Sequence, residues 1–126
     1  SSKDRIHDAL FHILNHYMKG VEIESINEKI NYNSVILLLT PKGYAYDGII
    51  PMISQIENDI KMFLADIVDE GKRKNEIRHD FLTEDIVESL HGLYMGIQYF
   101  WLVFPDEDID SMFEKNFELT WQAIEY

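Results

Sequence analysis

The chain has 126 residues, 46% of them hydrophobic, enough for one domain with a real core and too many for a disordered segment. Its 23 acidic residues against 11 basic ones give a formal charge of −12, so the chain as it stands should repel nucleic acid, whose binding needs clustered Lys and Arg. No apolar run approaches the ~20 residues of a membrane helix, so no membrane association is expected. Without cysteine there is neither a disulfide framework nor thiolate chemistry. Lys3, Asp4, Arg5, His7 and Asp8 make the start too charged for a signal segment, and a cytoplasmic location is the expectation.

Lys3 to Lys19 reads as the first helix. Ile6, Ala9, Leu10, Ile13 and Tyr17 form one apolar stripe, and Phe11, Leu14 and Met18 form another roughly opposite. A helix apolar on two sides is sandwiched or lines a cavity. Gly20 is a good stop. Between Val21 and Thr40, Ser25 and Glu28 can form a capping box for a short helix through Ile30, and Ser34 can cap a second, Val35 to Leu39. The VILLL run there also has strand composition, but a lone strand has no partner in this chain, so helix is the reading. Pro41, Lys42 and Gly43 make a turn, and Asp47 is a plausible cap for the long helix after it.

Pro51 fits the first turn of that helix, which runs to about Lys72 on the stripe Ile53, Ile56, Ile60, Phe63, Leu64, Ile67 and Val68. Gly71 and the charged run after it should end that helix. Asn75 to Phe81 is a connection. A helix of about six turns then reaches Phe104. Thr83 is its natural N-cap, Leu82 and Val87 its hydrophobic staple, and Pro105 its stop. Asp106 should cap a last helix to about Glu125, with the stripe Ile109, Phe113, Phe117, Thr120 and Ile124. The fold class is therefore all-α: a single domain over 1–126, an antiparallel helical bundle of five to six helices.

The helix ending at Phe104 has two usable faces. Ile86, Val87, Leu90, Leu93, Tyr94, Ile97, Phe100, Trp101 and Phe104 recur at core spacing. Ser89, Gly92, Gly96 and Val103 lie away from that stripe. Glycine costs roughly 1 kcal/mol against alanine inside a helix, so two of them one turn apart need a close neighbour to explain them. A second layer of the same chain or a second copy of it would serve.

Nothing is set up for catalysis. There is no GxSxG, no cysteine and no glycine-rich phosphate loop, so enzyme activity is not expected. His12 and His16 share a helix face, and Glu76-x-x-His79 and Glu88-x-x-His91 match a di-iron half-unit. Glu76 lies in a connection and His91 points off the apolar stripe, so no metal is expected. The DEDID run at 106–110 lacks the turn glycine of a calcium loop. No cofactor is implied.

The segment EGKRKNEIRHDFLTEDIVESLHGLYMGI resembles the C-terminal domain of TetR-family transcriptional regulators. There a long helix ends in glycine and basic residues, an apolar-Arg-x-Asp turn comes next, and a capped helix carries two glycines. The matching positions are Gly71, Lys72, Glu76, Ile77, Arg78, Asp80, Thr83, Gly92 and Gly96. Ser2-Lys3-Asp4 with Ile6 and Leu10 is similar to the junction after the DNA-reading domain. The family's helix-turn-helix has no counterpart in this sequence, so the chain reads as the regulatory part alone, with DNA a partner only through that missing domain.

The resemblance implies a homodimer through the last two helices and a pocket between the middle ones for a small apolar or amphipathic effector. Ser89, Gly92, Gly96, Val103, Phe113, Phe117 and Trp121 are the expected interface residues. Phe11, Tyr17, Met18, Met52, Ile56, Phe63, Tyr94, Ile97, Phe100 and Trp101 are the expected pocket residues, tyrosine and tryptophan giving polar handles and methionine an adaptable surface. Taken one at a time, apolar residues at helical spacing are more often plain core than pocket lining. The alternative function is a helical module that binds a partner protein and has no small-molecule ligand.

Overall fold

The computed structural model describes residues 1–18, 49–104 and 106–126. The short helices expected between 25 and 39, the turn at 41–43, the Asp47 cap and the Pro105 stop lie outside the described residues. Four helices are described: α1 (Ser2–Met18), α2 (Ile49–Arg73), α3 (Thr83–Val103) and α4 (Ile109–Ile124). Among the described residues there is no strand, only one isolated bridge between Ile77 and Glu125.

Side-chain pairs fix how the helices run. Arg5 meets Glu70, and Thr83 meets Asp69 while His91 meets Glu57, so α1 and α3 both run against α2. Lys3 meets Glu118 and His7 meets Glu114, so α1 also runs against α4. The result is an antiparallel packing in which α3 lies between α2 and α4, and α1 touches all three. That position explains the width of α1's apolar surface. Ile6, Leu10 and Leu14 are buried, drawn from both expected stripes, while half-buried Ile13 faces α2 and half-buried Phe11 stacks toward α4.

The core also takes Leu64, Ile67 and Val68 from α2 and Ile86, Val87, Leu90, Tyr94, Ile97 and Trp101 from α3. From α4 it takes Ile109, Phe113, Phe117, Trp121 and Ile124. Each set keeps to the 3.6-residue period. Full burial of one such side chain contributes about 1.5–3 kcal/mol.

Three expected helix ends are displaced. Gly71 does not end α2. Asn75, at φ 57°, is the left-handed residue there; its amide bonds the Lys72 carbonyl at 3.1 Å and the Glu76 amide bonds the Gly71 carbonyl at 2.8 Å. Those two bonds make a Schellman motif, for which asparagine is an accepted substitute for glycine. Gly71 is instead small because Ile77 and Ser2 press on it: a Cβ there would stand 2.6 Å from Ile77 Cδ1 and 2.7 Å from Ser2 Oγ. The N-cap of α3 is Leu82, whose carbonyl accepts from Ile86 at 3.1 Å; Thr83 already sits inside the helix and donates its hydroxyl to Asp69 at 2.5 Å. The N-cap of α4 is Asp108, whose carboxylate accepts from the Asp110 amide at 3.0 Å; Asp106 is exposed and outside the helix.

The end of the bundle at Gly71 is tied by backbone bonds. Ser2 N donates to Glu76 Oε2 at 2.9 Å, Arg78 N to the Ile124 carbonyl at 2.9 Å, and Tyr126 N to the Glu76 carbonyl at 3.1 Å. Arg78 also grips Asp80 through Nε at 2.9 Å and lies 4.4 Å above the Phe81 ring.

Candidate association face and effector site

The outer side of α3 carries the first candidate. From Ser89 to Phe104 the chain has no Asp, Glu, Lys or Arg, although 27% of the whole is charged. The core side of that stretch is filled. On the other side, among the described residues, nothing beyond the helix's own backbone comes within 4 Å of where a Cβ would stand at Gly92 or Gly96. Around them Met95, Tyr99, Phe100, Val103 and Phe104 are exposed, Tyr99 by 56% and Phe100 by 52%. Scattered exposed apolar residues are ordinary, but a contiguous set on one helix face marks a contact surface. Toward α4 the face continues over an open groove of about 640 Å³ between Asp85 and Ser89 on one side and Leu119, Thr120 and Ala123 on the other.

The expected interface residues divide. Ser89, Gly92 and Val103 are exposed and Gly96 is half-buried, all on this outer face. Phe113, Phe117 and Trp121 stand elsewhere, in the subunit's own core. Phe113 and Phe117 stack on each other with centroids 5.6 Å apart, and the His7 ring lies 5.1 Å from both. The apolar stripe of α4 is used against α1 and α3, which leaves other residues outermost on that helix. Leu119, 67% exposed beside Ser89, takes that place. Leu119 stands off the α4 stripe that the apolar spacing marks, so periodicity gives no signal for it.

The expected pocket residues also divide. Tyr94, Ile97 and Trp101 are buried together on the core side of α3, and Phe11 is half-buried against Phe113 at 5.5 Å. Tyr17, Met18 and Met52 lie in α1 and α2, but their side chains are outside the described residues. Ile56 and Phe63 are exposed on α2, Phe63 beside the α1–α2 groove. Phe100 is not with Trp101: consecutive helical residues point about 100° apart, and Phe100 falls on the outer face.

Beside Tyr94 the structure places polar groups that periodicity did not single out. Half-buried His91 bonds Glu57 of α2 through Nε2, and its ring lies 5.9 Å from the Tyr94 ring. Gln98 Nε2 donates to the Tyr94 hydroxyl at 2.9 Å. The Tyr94–Gln98 pair stands at i, i+4, so spacing alone could have suggested it. The Glu57–His91 pair joins two helices and leaves no local signal. Together these groups offer a carboxylate, an imidazole, a phenol and an amide at one edge of the core, the kind of polar handle that orients an amphipathic ligand.

Among the described residues no group of three or more His, Asp or Glu side chains is placed to hold an ion, and the side chain of His16 lies outside those residues. His79, from one Glu-x-x-His unit, hydrogen-bonds the Lys72 carbonyl at 2.7 Å. Among the described residues no helix is long and apolar enough to cross a membrane. In comparisons with known proteins, the chain matches no family model, no curated protein and no solved structure.

Proposed function

We propose that this chain is the effector-binding, dimerising part of a TetR-like transcriptional regulator. The observation that carries the reading is the outer face of α3. Two glycines one turn apart weaken the helix by roughly 1 kcal/mol each, and no described residue packs within 4 Å of the space they leave. A second backbone at close approach would use that space. From Ser89 to Phe104 the face is uncharged, so two copies that each carry −12 can meet there without bringing like charges into contact. Symmetric dimers are the commonest oligomers, and a stable one needs about 800 Å² from each partner. An effector seated beside Tyr94 and His91 would touch α2 and α3 together. It would shift the spacing of two attached DNA-reading domains by its differential affinity for the two arrangements.

Light scattering, combined with titration of a fluorescent hydrophobic dye, tests the reading. It requires a dimer that takes up dye near Trp101, seen as quenching of that tryptophan's emission. A monomer that takes up no dye would favour the alternative, a helical module for a protein partner.

A further inference from the structure

On the other flank of α3 lies a second surface, independent of the face assigned to dimerisation. Lys61, Met62 and Ala65 of α2 and Leu82, Thr83 and Val87 at the start of α3 line an open groove of about 570 Å³. Its floor is apolar: Val87 is buried and Ala65 half-buried. Its crests are large apolar side chains left in water, Met62 at 68% and Leu82 at 61% exposure. Methionine adapts to more than one shape of partner, which suits a surface that receives a side-chain row.

The rim is acidic. Glu84 and Glu88 line the groove and are exposed, and Asp69 stands at its end, bonded to Thr83. Among the described residues that line it, Lys61 is the single base. This charge selects the occupant. A second copy of the chain, also at −12, would bring acid against acid. A nucleic acid or an anionic lipid surface would be repelled in the same way. A small molecule would remain largely in water in so open a groove.

We infer that the α2–α3 groove receives a basic amphipathic helix from a partner protein. Its apolar stripe seats on Met62, Leu82 and Val87, and its Lys or Arg residues meet Glu84 and Glu88. This is the helix-in-groove mode of recognition, read by anchors at i, i+4 and i+7, with charge complementarity setting partner choice and on-rate.

The test is isothermal titration of the whole chain with two synthetic 14-residue helical peptides. One places leucine on one face and lysine on the other; its twin has glutamate for every lysine. The lysine peptide is expected to bind one to one and to weaken by about tenfold or more as salt is raised. The glutamate peptide should not bind. Met62→Asp with Leu82→Asp should weaken binding by about tenfold or more despite adding negative charge, because it removes the apolar seat. Circular dichroism of that variant confirms that the helices remain. Phe63→Asp, on the α1–α2 groove, should leave binding unchanged. Failure of the lysine peptide to bind, or equal binding of both peptides, overturns the inference. So does binding that tightens in the Met62→Asp, Leu82→Asp variant, which would be mere charge attraction. Loss of self-association in that variant would assign the groove to a second copy and would also overturn it.

Discussion

Gly71→Ala should destabilise the subunit even though alanine is the better helix former. Position 71 lies inside α2, where the exchange gains about 1 kcal/mol of helix propensity. The new methyl would stand 2.6 Å from Ile77 Cδ1, 2.7 Å from Ser2 Oγ and 3.0 Å from Ile77 Cγ1. Neither neighbour can swing into water: Ile77 is fully buried, and Ser2 is buried with its backbone bonded to Glu76. Overpacking of this kind typically costs about 1–3 kcal/mol. Set against the gain in propensity, the net loss is up to about 2 kcal/mol. At this chain length each kcal/mol moves Tm by roughly 4 °C, so a fall of up to about 8 °C is expected. Urea and thermal unfolding followed by circular dichroism at one protein concentration measure it. Ile77→Val removes the closest of the three atoms, at a cost of about 0.5–1.5 kcal/mol alone. In the double variant the two losses should sum to less than their separate values, a coupling of about 1 kcal/mol. A Gly71→Ala protein more stable than the parent, or losses that simply add, would refute the close packing of this corner.

His7 should make stability depend on pH. Its Nδ1 faces Asp8 at 3.1 Å and its Nε2 faces Glu114 of α4 at 2.8 Å, and only the doubly protonated ring can donate to both carboxylates. Burial pulls its pKa down, but the hydrogen bonds and charges of Asp8 and Glu114 outweigh that and leave it raised above 6.5. A raised folded value means the contribution is full below about pH 6.5 and is lost as pH climbs through the folded pKa. Urea unfolding at pH 5.5 and 8.5 should show an excess loss of up to about 1 kcal/mol that His7→Gln abolishes, and equal slopes in both proteins would contradict it. Glu70, held by Lys74 and Arg5 at a pKa of about 2, should support the fold down to strongly acid conditions. Its folded pKa is depressed, so the contribution is present above about pH 4.5 and is lost as pH falls toward 2; Glu70→Gln should flatten that limb of the acid titration. Asp108→Ala should cost about 0.5–2 kcal/mol in urea unfolding, as the loss of a true N-cap, and Asp106→Ala should cost almost nothing.

Helix identity was legible where the apolar spacing was long and regular. The α2 stripe predicted a helix from Pro51 to about Lys72, and the helix spans Ile49–Arg73. Caps were less so, for physical reasons. The DEDID run offers several competent acids, and which one caps α4 depends on where the chain must turn inward to bury Ile109, a tertiary fact. Gly71 reads in sequence as a stop, yet its glycine is required by the bulk of Ile77 and Ser2 arriving from elsewhere in the chain. The faces of α3 separated well, with Leu90, Tyr94 and Ile97 inside and Gly92 outside. Periodicity could not tell whether the α4 aromatic stripe met its own subunit or a copy, and the structure places Phe113 and Phe117 beneath α1. Cross-helix pairs such as Glu57–His91 leave no spacing to read at all.

The most direct test of a paired α3 face is the subunit mass in solution when its two glycines are filled. Gly92→Leu with Gly96→Leu puts side chains where no described residue packs against the helix, so the gain in helix propensity should hold or raise the stability of the monomer. Sedimentation equilibrium of the parent chain should give twice the subunit mass, and the double variant should dissociate at concentrations at least about tenfold higher. A parent chain that sediments as a monomer, or a double variant that dimerises as tightly as the parent, would contradict the account.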